Sequence, residues 1–275
     1  MMLESNSHPK QSVKLGNGKR TVMSDIEAIV ADTETARRLH YQLRYQVYCL
    51  ETGFEEASRY PDHKESDEYD NHATHFLMRG KQSGVGFAAA RLVLPGDRAL
   101  PVESLYEIPK NHISKIHGIP YEKTAEVSRL LITKNIRRPT EYASSRRPRV
   151  ANQRQATPHH GRMRAAVLVD LIRAMAAYSC EHGIPQWVFF ATPALARILR
   201  RLGISLIEIG APRQHRGIRF PYVTEAEQIY DTLTLATERE GNKDPLSPPY
   251  QLFSELSSAT YPHNMEGPML KQASR

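Results

Sequence analysis

An arginine in the middle of an apolar strand is the strongest constraint on how this chain can fold. The run "GFAAARLVLP", Gly86 to Pro95, surrounds Arg91 with residues suited to a buried strand. A buried charge without a partner is costly, so a carboxylate must be brought to it from elsewhere in the chain. Arg129 in "AEVSRLLIT" and Arg44 in "TETARRLHYQLRYQVYCLE" make the same demand. The fold has to deliver anions to three cations in apolar surroundings.

The candidate anions are concentrated in one place. "KESDEYDNH", Lys64 to His72, holds Glu65, Asp67, Glu68 and Asp70 within six residues. By position alone this is a solvated turn, since Asp, Ser and Asn supply turn chemistry. Placed against the arginines, Glu65, Asp67 and Asp70 become one wall of a polar site, and Glu126 is a further candidate. On a regular strand Glu126, Ser128 and Leu130 share one face while Val127 and Arg129 share the other. A bulge would be needed to turn Glu126 and Arg129 toward one site. The plainer reading is a set of ion pairs that fasten a loop to a sheet.

Periodicity supplies the rest of the outline. From Asp32, a candidate N-cap, Ala36, Leu39, Leu43 and Val47 recur at helical spacing, with Arg44 and Tyr48 on one face. "THFLMR" and "GFAAARLVLP" flank "GKQSG" as an antiparallel hairpin, and "AEVSRLLIT" is the next strand. Val167, Leu168, Leu171, Ile172, Met175 and Tyr178 mark a long helix ended by Gly183 and Pro185. Then come the strand "QWVFFAT", the helix "PALARILRRLG", the strand "ISLIEIG", and "PRQHRGIRFPYV" as its returning partner. This order predicts an α/β (α+β) fold, a mixed sheet flanked by helices over residues 25–235. Residues 1–24 and 236–275 are polar and aperiodic, and are expected to be flexible tails.

Composition narrows the function classes. No stretch reaches the ~18 apolar residues of a membrane helix, and the N-terminus lacks the apolar centre of a secretory signal, so a cytoplasmic address is expected. Cys49 and Cys180 offer neither a disulfide framework nor zinc-site spacing, and no metal site is expected. The net charge is +7, and Lys134 to Arg164 holds nine basic residues against the single acid Glu141. That segment carries the whole surplus and points to an anionic partner. Nucleic acid is one such partner, but no nucleic-acid motif or aromatic stacking pattern accompanies these arginines.

In residue type and order, Arg44-x-x-x-Tyr48, "ESDEYD", "RLVLP" with Arg91, and "EVSR" from Glu126 to Arg129 resemble the acyl-homoserine-lactone synthases. "LRYQVYCLE", "DEYD", "RLVLP", "EVSRL" and "GAPRQHRGIRFPY" resemble more closely the N-acyl amino acid synthase-like proteins known as PEP-CTERM/exosortase system-associated acyltransferases. The resemblance spans about residues 37 to 225 and implies a GNAT-like acyltransferase fold, its mostly antiparallel sheet splayed to hold an acyl thioester. It implies an N-acyltransferase whose charged active-site network includes Arg44, Glu65, Asp67, Asp70, Arg91, Glu126 and Arg129.

On that basis Glu65 or Glu126 takes the proton from the attacking amine, and Arg91 and Arg129 organise the network. Asp67 and Asp70 hold the acceptor's ammonium or the arginines, and Arg44 sits near the donor's phosphopantetheine arm. Tyr48, Ser128 and His215 complete the substrate-binding candidates, a structural hydrogen bond being the plainer reading of His215. The lactone synthases carry a tryptophan soon after the first helix; here the only tryptophan is Trp187, and Phe54 is the nearest aromatic substitute. A free amino acid is therefore the expected acceptor, with S-adenosylmethionine the alternative. Coenzyme-A-dependent relatives place a glycine-rich phosphate loop after this strand, whereas "TPHHGRMRAA" has only Gly161. An acyl carrier protein thioester docked on the basic segment 134–164 is the expected donor, acyl-coenzyme A the alternative, with no tightly bound cofactor.

Overall fold

The computed structural model describes residues 25–94, 99–134, 136 and 158–240. Residues 1–24 and 241–275 of the expected tails and most of the basic segment lie outside these residues. Eight strands are described: β1 (Ile26–Val30), β2 (Ala73–Gly80), β3 (Gly86–Val93), β4 (Thr124–Ile132), β5 (Gln186–Ala191), β6 (Ile207–Glu208), β7 (Arg213–Gln214) and β8 (Ile218–Glu225). They form a sheet in the order β1-β2-β3-β4-β5-β8-β6, with β7 hairpinned to β8. All pairs are antiparallel except β4 with β5. The mixed sheet agrees with the sequence expectation, and β1 is an edge strand that the periodicity did not reveal.

The first helix, α1 (Glu34–Tyr45), is capped by Thr33, not Asp32: the Thr33 hydroxyl accepts from the Ala36 amide at 3.2 Å. It continues into a widened π-helical turn, Gln46–Glu51, that carries Tyr48. Two short helices, α2 (Pro101–Tyr106) and α3 (Lys110–His117), precede β4 in a stretch that offered no clear periodicity. The long helix α4 (Pro158–Glu181) and α5 (Pro193–Arg201, capped by Thr192) fall where the sequence pattern puts them. The last helix, α6 (Ala226–Glu240), runs past the expected domain boundary at residue 235. "ISLIEIG" keeps only two residues in strand pairing.

Strand alternation sorts the core onto two faces. One face buries Phe76, Met78, Ala88, Ala90, Leu92, Ala125, Trp187 and Phe189 against Val167, Leu171 and Met175 of α4. The other is covered in two separate places. Leu43 and Val47 pack on Leu77, Ala89 and Leu131, while Val102 and Ile113, from α2 and α3, pack with Val93, Val188 and Val223. Helix α1 approaches so closely that a Cβ at Gly86 would lie 2.7 Å from a Leu43 methyl. Between the two apolar clusters the sheet carries the cross-strand row His75, Arg91 and Ser128. The polar site occupies this seam.

Candidate active site

Two departures from regular pairing shape the site. Ala89 pairs with Leu131 and Arg91 with Ser128, so Ala90 opposes both Arg129 and Leu130 in a bulge on β4. Arg129 there adopts φ +52°, a left-handed conformation that costs a non-glycine residue about 1–3 kcal/mol. The bulge returns Leu131 to the face of α1 and lets Arg129 reach the same site as Arg91. The second departure lies on the other edge of β4. Its parallel pairing with β5 runs from Thr124–Gln186 to Val127–Phe189 and stops, while β5 continues to Ala191 along β8. The sheet opens at Ser128, where β4 presents backbone N–H and C=O groups to a gap instead of a strand.

The Glu65–Asp70 stretch wraps this seam. Asp67 caps a short 3₁₀ turn, Glu68–His72, in which the Asp67 side chain accepts from Tyr69 N and Asp70 accepts from Asp67 N at 2.7 Å. This reciprocal cap fixes the two aspartates side by side, facing the sheet. Arg44 Nε donates to Glu65 at 2.5 Å and its Nη1 to Asp70 at 2.6 Å. Arg91 grips Asp67 with both terminal nitrogens (2.5 and 2.9 Å), reaches Asp70 at 2.6 Å, and donates from Nε to Ser128. Arg129 Nη2 bridges Glu65 at 2.9 Å and Asp67 at 2.8 Å. Three arginines thus interleave with three carboxylates, and the network is electrically balanced. Each anion needed by the buried cations comes from the acidic turn.

Balance decides the protonation states. For Asp70, burial works against ionisation, but the His75 hydrogen bond and the charges of Arg44 and Arg91 hold the carboxyl far below its ordinary range. Burial likewise opposes ionisation of Glu65 and Asp67; Arg44 and Arg129 overcome it for Glu65, Arg91 and Arg129 for Asp67. Both stay charged. A Glu65 locked to two arginines has little affinity for a proton.

Glu126 stands apart. It is buried, shares the face of Arg91 and Ser128, and lies where β4 and β5 still pair, one step before the gap. Among the described residues no arginine pairs with it, although it was one of the candidate anions for the buried cations. It accepts from the Val102 amide at 2.7 Å. Burial pushes it up to about 8, against the pull of that hydrogen bond and the charges of Arg91 and Arg129. It is the one acid of the site poised to exchange a proton near neutrality.

The other expected residues occupy distinct positions. Arg44, expected near the donor's arm, is 0% exposed and holds the acidic turn. Tyr48 lies 5.6 Å from the guanidinium of Arg129 and 5.6 Å from that of Arg216, measured to its ring centre. His215 is half-buried in the β7–β8 turn; burial, then Arg219 and Arg129, depress its proton affinity. Arg216, also in that turn, pairs with Glu55 and lies over Phe54. Trp187 is core, its indole N–H donating to Ser179 at 2.9 Å, and takes no part in the site.

Sequence reasoning missed His75 and His40, buried behind Asp70. The Asp70 carboxylate can only accept, so His75 Nε2 carries the hydrogen of their 3.0 Å bond. His40 contacts the Ala90 carbonyl at 3.1 Å and His75 edge to face. Their spacing, one on a helix face and one in a strand, gave no local signal. Arg216 and Arg219 lay inside a quoted motif but were not singled out. Two surface clefts among the described residues, one beside Leu39 and Val85, the other beside Arg197 and Phe220, contain none of the network. Among the described residues no helix is long and apolar enough to cross a membrane.

With this geometry in view, the chain can be set beside known proteins. Residues 43–143 match the family described as acetyltransferase (GNAT) domain. No curated protein matches the sequence. Among solved structures, the acyl-homoserine-lactone synthase LasI superposes with a TM-score of 0.53 at 15% identity, over 76% of this chain and 94% of LasI. TofI, solved in a ternary complex with an inhibitor and MTA, gives 0.53 at 17% identity, covering 76% of this chain and 96% of TofI. BjaI, a coenzyme-A-dependent acyl-homoserine-lactone synthase, gives 0.52 at 17%, covering 84% and 98%. At these identities the likeness is one of architecture, and the splayed sheet of this chain has the GNAT fold in the form seen in those synthases.

Proposed function

We propose that this protein is an N-acyltransferase that moves a fatty acyl group from an acyl carrier protein thioester to the amine of an amino acid. The observation that carries the reading is Glu126: a buried carboxyl tuned to about 8, beside the gap where β4 leaves β5. An amino acid presents its amine as ammonium at neutral pH and becomes a nucleophile only on losing a proton. Glu126 takes that proton, directly or through one water. The nitrogen then forms a bond to the thioester carbonyl carbon, the C–S bond breaks, and the nitrogen gives its second proton to the departing thiolate, which leaves as the thiol, while the proton held by Glu126 passes to solvent. The unpaired edge of β4 beyond Val127 offers peptide groups to the donor's amide-bearing arm and to the developing oxyanion. Arg91, through its bond to Ser128, and Arg129, through its bulge, keep that edge in place.

A carrier protein as donor is favoured by charge. The cleft beside α5 has a volume of about 460 Å³ and is lined by Arg197, Arg200 and Arg201, which outnumber the single acid Glu208, with Phe220 and Tyr222. This exposed basic surface suits an acidic carrier. An amino acid as acceptor is favoured by the placement of Trp187, the only tryptophan in the sequence, in the core and not after the first helix. An exosortase-linked role rests on the sequence motifs alone.

Purified protein incubated with acyl carrier protein thioesters and a mixture of amino acids, read by mass spectrometry, tests the reading. N-acyl amino acids are expected. A homoserine lactone formed from S-adenosylmethionine would replace the acceptor, product from acyl-coenzyme A alone would replace the donor, and no acyl transfer would overturn the activity.

A further inference from the structure

The charged network leaves no cation for the acceptor's own carboxylate, because Arg44, Arg91 and Arg129 are matched by Glu65, Asp67 and Asp70. A guanidinium without a carboxylate partner among the described residues lies instead across the gap, on Arg219 near the start of β8. Val223 pairs with Val188, which pairs with Glu126, so residues alternating back along β8, Pro221 and Arg219, share the face of Glu126. Strand β8 runs opposite to β4, which brings Arg219 level with the β4 bulge on the far side of the opening.

Arg219 is half-buried and donates from Nε to the His215 carbonyl at 2.9 Å. That bond fixes its orientation and leaves both terminal nitrogens available. Among the described residues no carboxylate pairs with it; Glu55, the acid at this turn, is taken by Arg216. Arg219 is close enough to Arg216 and His215 for its charge to depress proton binding by both, after the effect of burial. A half-buried guanidinium facing like charge, with its fork free, is a built receptor for an anion.

Resting on the acyltransferase reading above, we infer that Arg219 binds the carboxylate of the acceptor and selects amines that carry one. The acceptor would span the gap, its amine toward Glu126 and its carboxylate on the Arg219 fork, so that a simple alkylamine is positioned poorly. Arg219 is then a specificity-determining residue, with Arg216 reinforcing the field from its perch over Tyr48 and Phe54.

The test compares amino acids with their decarboxylated counterparts, leucine with isopentylamine and tyrosine with tyramine, for the full chain and for Arg219→Met and Arg219→Lys. The wild type should favour the amino acid in kcat/KM by about 30-fold or more, the scale of one charged bidentate contact. Arg219→Met should bring the ratio close to one, chiefly through KM, and Arg219→Lys should restore part of it. Circular dichroism on each variant confirms folding; should Arg219→Met fail to fold, Arg219→Gln takes its place. Acyl transfer with the same preference in the folded uncharged variant overturns the assignment and leaves the acyltransferase standing. So does an effect confined to the donor's KM that vanishes with phosphate-free acyl-pantetheine, which would make Arg219 a phosphate contact. No transfer to any acceptor overturns both readings.

Discussion

Arg91 holds Asp67 in a two-pronged grip, Nη1 to Oδ1 at 2.5 Å and Nη2 to Oδ2 at 2.9 Å, and so joins the third strand to the acidic turn. Arg91 is 1% exposed, and removing it would leave Asp67 in the seam without its principal cation and take one of two arginines from Asp70. Arg91→Met should lower stability by about 3–5 kcal/mol, the usual cost of breaking a buried pair from one side. It should also depress acyl transfer by about 100-fold or more by releasing Ser128 and the β4 edge. Urea denaturation and turnover measured on the same preparation check both; full activity in a folded variant would contradict the network's role.

Glu126→Gln keeps the size of the side chain and its bond from Val102 N but removes the base. Turnover should fall by about 10²–10⁴-fold with little change in acceptor KM. In the wild type, turnover should climb as pH rises through about 8, where Glu126 becomes a carboxylate, and the residual rate of the variant should lack that limb.

The same residue shapes stability in the opposite direction. Its folded pKa is raised above the unfolded value, so between about 4.5 and 8 the native state holds a proton that the unfolded chain has lost. The contribution of Glu126 is therefore fully present below that window and lost as pH rises through it. Tm followed from pH 5 to 9 should decline more steeply for the wild type than for Glu126→Gln.

Asp70 behaves in reverse. Its folded pKa is depressed by His75, Arg44 and Arg91 against the effect of burial, so its contribution is present above its ordinary range and lost as the pH drops below it. Asp70→Asn should lower Tm at neutral pH and flatten the acid limb below about pH 4. An unchanged acid limb would place the acid sensitivity elsewhere, in Glu65 and Asp67.

Arg129→Lys retains the charge but not the fork. One ammonium cannot reproduce the bridge from Arg129 to both Glu65 and Asp67, and each charged bond lost costs about 1.5–3 kcal/mol. Stability and turnover should both drop, whereas Arg129→Gly, which relieves the left-handed backbone, should regain part of the stability and none of the activity. Thermal melts and kcat for the two variants separate the backbone cost from the side-chain role.

Much of this protein was determined by its sequence alone. Apolar runs interrupted by Arg91 and Arg129, and an acidic turn able to answer them, required that these segments meet; helical and strand periods fixed α1, the β2–β3 hairpin, α4 and α5 because those signals are local. What only the tertiary structure decided is who pairs with whom. Glu126 and Glu65 are chemically alike on paper, yet one is clamped by two arginines and the other is buried beside a single amide, and the β4 bulge that separates them depends on the register against β3. The short helices α2 and α3, the edge strand β1 and the buried pair His40 and His75 stayed hidden for the same reason. Their stability comes from contacts between residues far apart in the chain, and no nearby pattern records a contact of that kind.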